Sequence, residues 1–386
     1  MAHRFDDITI EQLRAAGGLK WSQYPEAIGS FVAEMDFGTA PPVLDAIRDA
    51  VDRGLFGYLP EALARRLGEA WAGFARERYG WEVPAERVRP LADVVAGLTS
   101  AIDFFSAPGA PVILPTPAYM PFLVVPPWMG RAVIEVPMAR DGDRYVYDLD
   151  ALDAAFAAGG DLLVLCNPHN PIGRVLRPDE MLAVAEVVEG HGGRVFSDEI
   201  HAPLVYDGHT HVPYASLTEA TAAHTVTAVS ASKAWNLPGL KCAQLVLSND
   251  ADAARWQEVG FMAEHGESNL GVVANIAAYE AGGPWLAEVL DYLDGNRRLL
   301  GDLLAERLPE VGYEPPEGTY LAWLDCRRLD LGDHPAEVLL ERAGVALTDG
   351  PACGRAGAGF ARLNLATPRP ILEQKVARLA DALARR

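Results

Sequence analysis

The sequence predicts an α/β fold: a mainly parallel sheet flanked by helices, with a smaller α+β domain attached. Three observations lead there. Through the middle of the chain, short apolar runs of strand length alternate with helical stretches, and that alternation builds a parallel sheet covered on both faces. Three successive strand candidates each run into a polar turn, at Asn170, Asp198 and Lys233, and ligands of such sheets bind beyond the carboxyl ends of the strands. From about Trp285 onward the pattern changes to long helices and short strands. With 386 residues the chain is long enough for a large core and more than one domain. The expected division is 1–45 as an amino-terminal segment joining the small domain, 46–284 as the large domain, and 285–386 as the small carboxyl-terminal domain.

The elements follow in order. The irregular start contains Ala33-Glu34-Met35-Asp36-Phe37. In residues 42–53, Val43, Leu44, Ile47 and Val51 recur at helical spacing, and Gly54 is a usual stop. Glu61–Tyr79 reads as a second amphipathic helix. Residues 112–114 form a strand candidate ending in Pro115-Thr116-Pro117-Ala118-Tyr119. Residues 161–166 form another, running into Asn167-Pro168-His169-Asn170-Pro171-Ile172-Gly173. Residues 178–188 look helical, with proline first, acids in the first turn and Gly190 at the end. Residues 194–197 lead into Asp198-Glu199-Ile200-His201, Thr225–Val229 leads into Ser230-Ala231-Ser232-Lys233, and 244–247 is a further strand. Residues 370–384 read as a closing helix.

Composition narrows the function. The net charge of -20 argues against nucleic acid or an anionic membrane as partner. No run approaches the roughly 18 apolar residues of a membrane helix, and the amino terminus has no apolar core behind a basic start. The expected location is therefore cytoplasmic. Cys166, Cys242, Cys326 and Cys353 are far apart and form no CxxC pair, so they read as structural thiols. Of 33 basic residues only Lys20, Lys233, Lys241 and Lys375 are lysines. A lysine kept in so arginine-rich a chain suggests a task arginine cannot perform, since a buried lysine can lose its proton and form an imine.

The segments NPHNPIG, SDEIH, SASKAWNLPGLK and RLNLATPR resemble those of the fold-type I pyridoxal-phosphate (PLP) enzymes of the class I/II aminotransferase superfamily, over nearly the whole chain. Within it, AEMDFGTAP, FGY at Tyr58, SDEIHAPLVYDG and GTYLAWLDCR resemble the cystathionine β-lyase (C–S lyase) branch. The resemblance implies PLP as cofactor, bound by the large domain, and an amino acid as substrate. It implies Lys233 as the Schiff-base lysine that also moves the α-proton, Asp198 at the pyridinium nitrogen, Asn170 at the ring hydroxyl and Tyr119 stacked on the ring. Ser230 and Ser232 fall where relatives turn hydroxyls toward the phosphate, with Val94 and Val95 as backbone donors. Arg362 matches the arginine that grips the substrate carboxylate, a task suited to a bidentate fork. Tyr58 resembles a tyrosine reaching the neighbouring subunit's phosphate, which implies a homodimer with shared sites. The chain departs from relatives at Lys241, where many have a phosphate-binding arginine, at His201, where many have a tyrosine, and at Asp93, where small residues are usual.

Taken singly, Asp198 reads as a loop acid, Asn170 as a turn residue, Tyr119 as a core aromatic and Arg362 as an ion-pair partner. In this order and spacing they read together as a site. His209 and His211, in DGHTH, read as solvent-facing loop residues, and no metal is expected. The expected reaction is C–S β-elimination from L-cystathionine or a related cysteine S-conjugate, giving a thiol, pyruvate and ammonia. An aminotransferase, sharing the early steps, and a regulatory binding protein retaining the fold stand as alternatives.

Overall fold

The structure, a computed structural model, describes residues 3–384. Met1, Ala2, Arg385 and Arg386, including the first two residues of the amino terminus considered above, lie outside the described residues.

A seven-stranded sheet forms the centre. Its strands are β1 (Val88–Leu91), β2 (Val112–Thr116), β3 (Val133–Pro137), β4 (Leu162–Cys166), β5 (Arg194–Asp198), β6 (Thr225–Val229) and β7 (Ala243–Leu247), in the spatial order β1-β7-β6-β5-β4-β2-β3. Every residue of β2, β4, β6 and β7 is buried. Continuous burial is the mark of a sheet covered on both faces, and it explains why these strands are apolar runs rather than alternating ones. On one face Leu98 and Ile102 of the helix Val94–Phe104 pack on Phe196, Val226 and Leu245. On the other, Phe156, Met181 and Val184 pack on Leu163, Leu165 and Val195.

β3, β2, β4, β5 and β6 pair in parallel, so the sheet is mainly parallel as predicted. β7 differs: it runs antiparallel to both β6 and β1. A parallel return needs a long crossover, usually a helix. Between β6 and β7 the chain has only a turn-rich stretch with one short 3-10 helix, Pro238–Leu240, and it doubles back. The helix expected to end at Gly190 continues as Pro178–His191 and stops at Gly192, which takes the left-handed conformation (φ 64°). Glu61–Tyr79 forms as predicted, closed by Gly80 in the same conformation.

A second sheet has β8 (Gly312–Tyr313), β9 (Leu321–Asp325), β10 (Thr348–Asp349) and β11 (Phe360–Asn364), in the antiparallel order β8-β9-β11-β10. The helices Gly283–Arg307 and Arg369–Ala384 cover it with Leu293, Leu300, Leu372 and Val376. The amino-terminal segment is knitted to this part of the molecule. Ile28–Gly29 pairs in parallel with Val345–Ala346, and the Ser30 hydroxyl donates to the Asn364 carbonyl at 2.8 Å. Two buried lysines hold the segment: Lys20 pairs with Asp36 at 2.8 Å, and Lys375 donates to Ser30 Oγ at 3.1 Å. Among the described residues no helix is long and apolar enough to cross a membrane.

Candidate active site

The carboxyl ends of the parallel strands open into a cavity of ≈ 360 Å³ whose walls include Tyr119, Asn170, Asp198, His201, Ser232, Lys233 and Lys241. Tyr119 follows β2, Asn170 follows β4, Asp198 ends β5, and Ser232 and Lys233 follow β6. The amino-terminal end of the helix Val94–Phe104 adds Asp93, Val94 and Val95. Arg362 enters from the opposite side, on β11 of the small sheet. One sheet edge thus gathers groups spread over more than a hundred residues of sequence.

Burial sets the electrostatics. Lys233 Nζ donates to the Ala33 carbonyl at 3.0 Å, and no carboxylate pairs with it among the described residues. Desolvation, aided by the nearby Arg362 charge, lowers its pKa to about 8. Asp198 is buried, with the Ile200 N–H on Oδ1 at 3.0 Å and the weak Cys166 thiol donor on Oδ2. Desolvation outweighs these donors and lifts its pKa to about 7. Arg362 is buried with no acidic partner among the described residues; its guanidinium donates to Asn170 Oδ1, the Phe31 carbonyl and Thr348 Oγ1. His201 is buried, its Nδ1 has no partner among the described residues, and burial lowers its pKa to about 3.

Some sequence expectations meet a different geometry. Ser230 does not line the cavity: its hydroxyl donates to the Cys242 carbonyl at 2.7 Å and accepts the Ser232 N–H at 3.0 Å. It therefore braces the turn that carries Lys233. Lys241 is at the rim, but its amine is engaged by Asp93 at 2.8 Å. Tyr58 is 94% exposed and outside the cavity of its own chain. His211 is not solvent-facing: it is buried and pairs at 3.0 Å with Glu199 Oε2, whose Oε1 accepts from Ser197 and the Tyr214 N–H, so the interior carboxylate is satisfied on both oxygens. His209 is exposed, as read.

Sequence reasoning missed Tyr24, Phe31, Val32, Met120, Leu347 and Thr348, which complete the walls. The signal available was the proximity of the first three to the AEMDFGTAP segment. A larger cleft of ≈ 590 Å³ lies between the hairpin around Gly142 and the small sheet. In it Arg174 pairs with Glu180 and Glu317, and Arg327 with Asp325.

The family described as aminotransferase class I and II matches residues 32–383. A cystathionine β-lyase of Corynebacterium glutamicum is 40% identical over 97% of this chain and 99% of its own length. The PLP-bound C–S lyase of Staphylococcus hominis has the same fold (TM-score 0.91, 29% identity, 99% of both chains). So does cystalysin of Treponema denticola, which contains PLP (TM-score 0.91, 28% identity, 100% of this chain and 99% of that one).

Proposed function

This chain belongs to the aminotransferase class I and II family, and from that premise we propose that it is a PLP-dependent carbon–sulfur β-lyase. Its substrate is L-cystathionine or a related cysteine S-conjugate, which with one water is converted to a thiol, pyruvate and ammonia. The observation that carries the reading is one cavity holding a lysine of lowered pKa, a buried carboxylate without a cation and a buried arginine without an acid. The relatives named cystathionine β-lyase and C–S lyase support the reaction class.

The residues fit the cofactor. A buried carboxylate lifted to about 7 is costly unless a cation meets it, and a protonated ring nitrogen is such a cation. Bound PLP supplies a carbonyl that condenses with amines and a ring that accepts electrons from Cα. Lys233 is assigned to that carbonyl, Asp198 to the ring nitrogen, Asn170 to the ring hydroxyl and Tyr119 to the ring face. Val94, Val95, Ser232 and Lys241 are assigned to the phosphate.

Arg362 binds and orients the substrate carboxylate, and the Phe31 carbonyl and Asn170 hold its fork in place. The neutral Lys233 amine takes the proton from Cα, and as an ammonium it can return that proton to the departing sulfur. Tyr24, Phe31, Val32, Met120 and Leu347 give the cavity an apolar wall suited to a thioether and able to exclude water. A homodimer with shared sites belongs to this reading, with Tyr58 reaching the neighbouring subunit. So does a cytoplasmic location, supported by four buried free cysteines.

Incubation with L-cystathionine and no added keto acid tests the proposal. Pyruvate and homocysteine should appear together at catalytic turnover. Absence of pyruvate, with conversion of the cofactor to its pyridoxamine form, identifies an aminotransferase instead. A protein that takes up no PLP rejects both.

A further inference from the structure

Asp93 is the group the proposed chemistry does not use. Three cations line the cavity: Lys233, Lys241 and Arg362. Lys233 is committed to the cofactor's carbonyl and Arg362, on the other sheet, to the substrate. His201 is neutral. Lys241 is the one cation of this lining left for the phosphate, beside Ser232 and the amino-terminal N–H groups of the helix Val94–Phe104, which have no acceptor inside the helix.

Asp93 engages the lysine and one of the helix-start donors, leaving the Val94 and Val95 N–H groups to the phosphate. Its Oδ1 accepts the Ala96 N–H at 2.9 Å as the helix cap, and its Oδ2 accepts Lys241 Nζ at 2.8 Å. Lys241 itself sits in the left-handed region (φ 47°, ψ 74°), directly before the Cys242 that accepts from Ser230. The phosphate end of the cavity therefore presents a lysine and a carboxylate whose charges cancel, where a dianion is to bind. Both side chains remain half-exposed at the rim of the cavity.

We propose that the Asp93 carboxylate, by engaging Lys241 at the helix start, competes with the cofactor's phosphate for that cation and makes the holoenzyme loosely loaded. This rests on the reading of the cavity as a PLP site. The consequence is an enzyme whose occupancy follows the supply of PLP instead of being fixed at synthesis.

Asp93→Asn separates charge from structure, because asparagine caps a helix as well as aspartate does. Cofactor retention is measured by diluting purified holoenzyme and following bound PLP by absorbance, then rebinding PLP or unphosphorylated pyridoxal to the stripped protein. The PLP dissociation constant of Asp93→Asn should fall about ten-fold at low salt, the scale of one charge contact at a half-exposed site. The gain should shrink as salt rises, and pyridoxal binding should not change. Asp93→Ser, also a capping residue, should behave alike. Unchanged or weaker PLP retention would mean that Asp93 presents Lys241 to the phosphate, and would overturn the inference. Equal tightening of PLP and pyridoxal overturns it too. A wild-type protein that binds no PLP rejects the cofactor reading, and this inference with it.

Discussion

Lys233 shows how a residue's surroundings select its chemistry. The usual lysine pKa of 10.5 falls to about 8 here because burial penalises the ammonium and Arg362 repels it. The neutral amine proposed to remove the proton is favoured above a pH of about 8 in the free side chain. The rate of the proton-transfer step should rise with pH through that value, provided the substrate's own ionisation is accounted for. Lys233→Arg should lose roughly a thousand-fold or more in kcat, since arginine stays protonated. A pH-independent rate, or an active Arg variant, would remove Lys233 from the role of base. The lysine, aspartate, asparagine and arginine that meet in one cavity were legible in sequence because they stand in motifs that resemble a family's. The Ala33 carbonyl that holds Lys233 was not, because a backbone carbonyl leaves no trace in residue identity. His211 was misread for a related reason: DGHTH has the composition of a turn, and only the fold brings Glu199 to it.

At the scale of elements, strands buried on both faces announce themselves as apolar runs, and the helices by their spacing and closing glycines. Direction is different. An apolar run looks the same read either way, so the reversal of β7 followed from the connection before it and not from the strand. The amino-terminal segment was opaque as well, since it is held by contacts to residues far along the chain. Its buried Lys20–Asp36 pair, with Trp21 Nε1 also donating to Asp36 at 2.8 Å, is the firmest of these. Asp36→Ala leaves a buried ammonium unpaired and should cost about 3–5 kcal/mol in urea unfolding. The double variant Lys20→Met with Asp36→Ala should recover much of that loss. A single-variant cost below about 1 kcal/mol would show that Lys20 is free to reach solvent.

At the scale of the whole molecule, the boundary proposed near residue 285 separates two sheets but not two cores. Trp235 and Ala274 on one side share a single cluster with Leu293, Leu324 and Leu363 on the other. The cavity lies where the two sheets face one another, so the parts need to stay in register for Arg362 to meet Lys233. Phe56, Tyr58, Phe261 and Met262 are exposed on the described chain, and Asn269 anchors the Tyr58 loop by donating to the Gly57 carbonyl at 2.7 Å. Light scattering should report a dimer. Tyr58→Phe should keep that dimer while weakening PLP retention several-fold, the loss of one hydrogen bond. A monomer with full activity would end the shared-site reading.

The scarcity of lysine has a practical side once burial is added. Lys20 and Lys375 are sealed inside the fold, Lys233 faces the cavity and Lys241 stands at its mouth. The ε-amines that a dissolved reagent can meet are therefore those of the proposed catalytic centre. Acylating dyes, crosslinkers or amine-coupled surfaces would mark or block turnover before they touched anything else on this protein's lysine side chains.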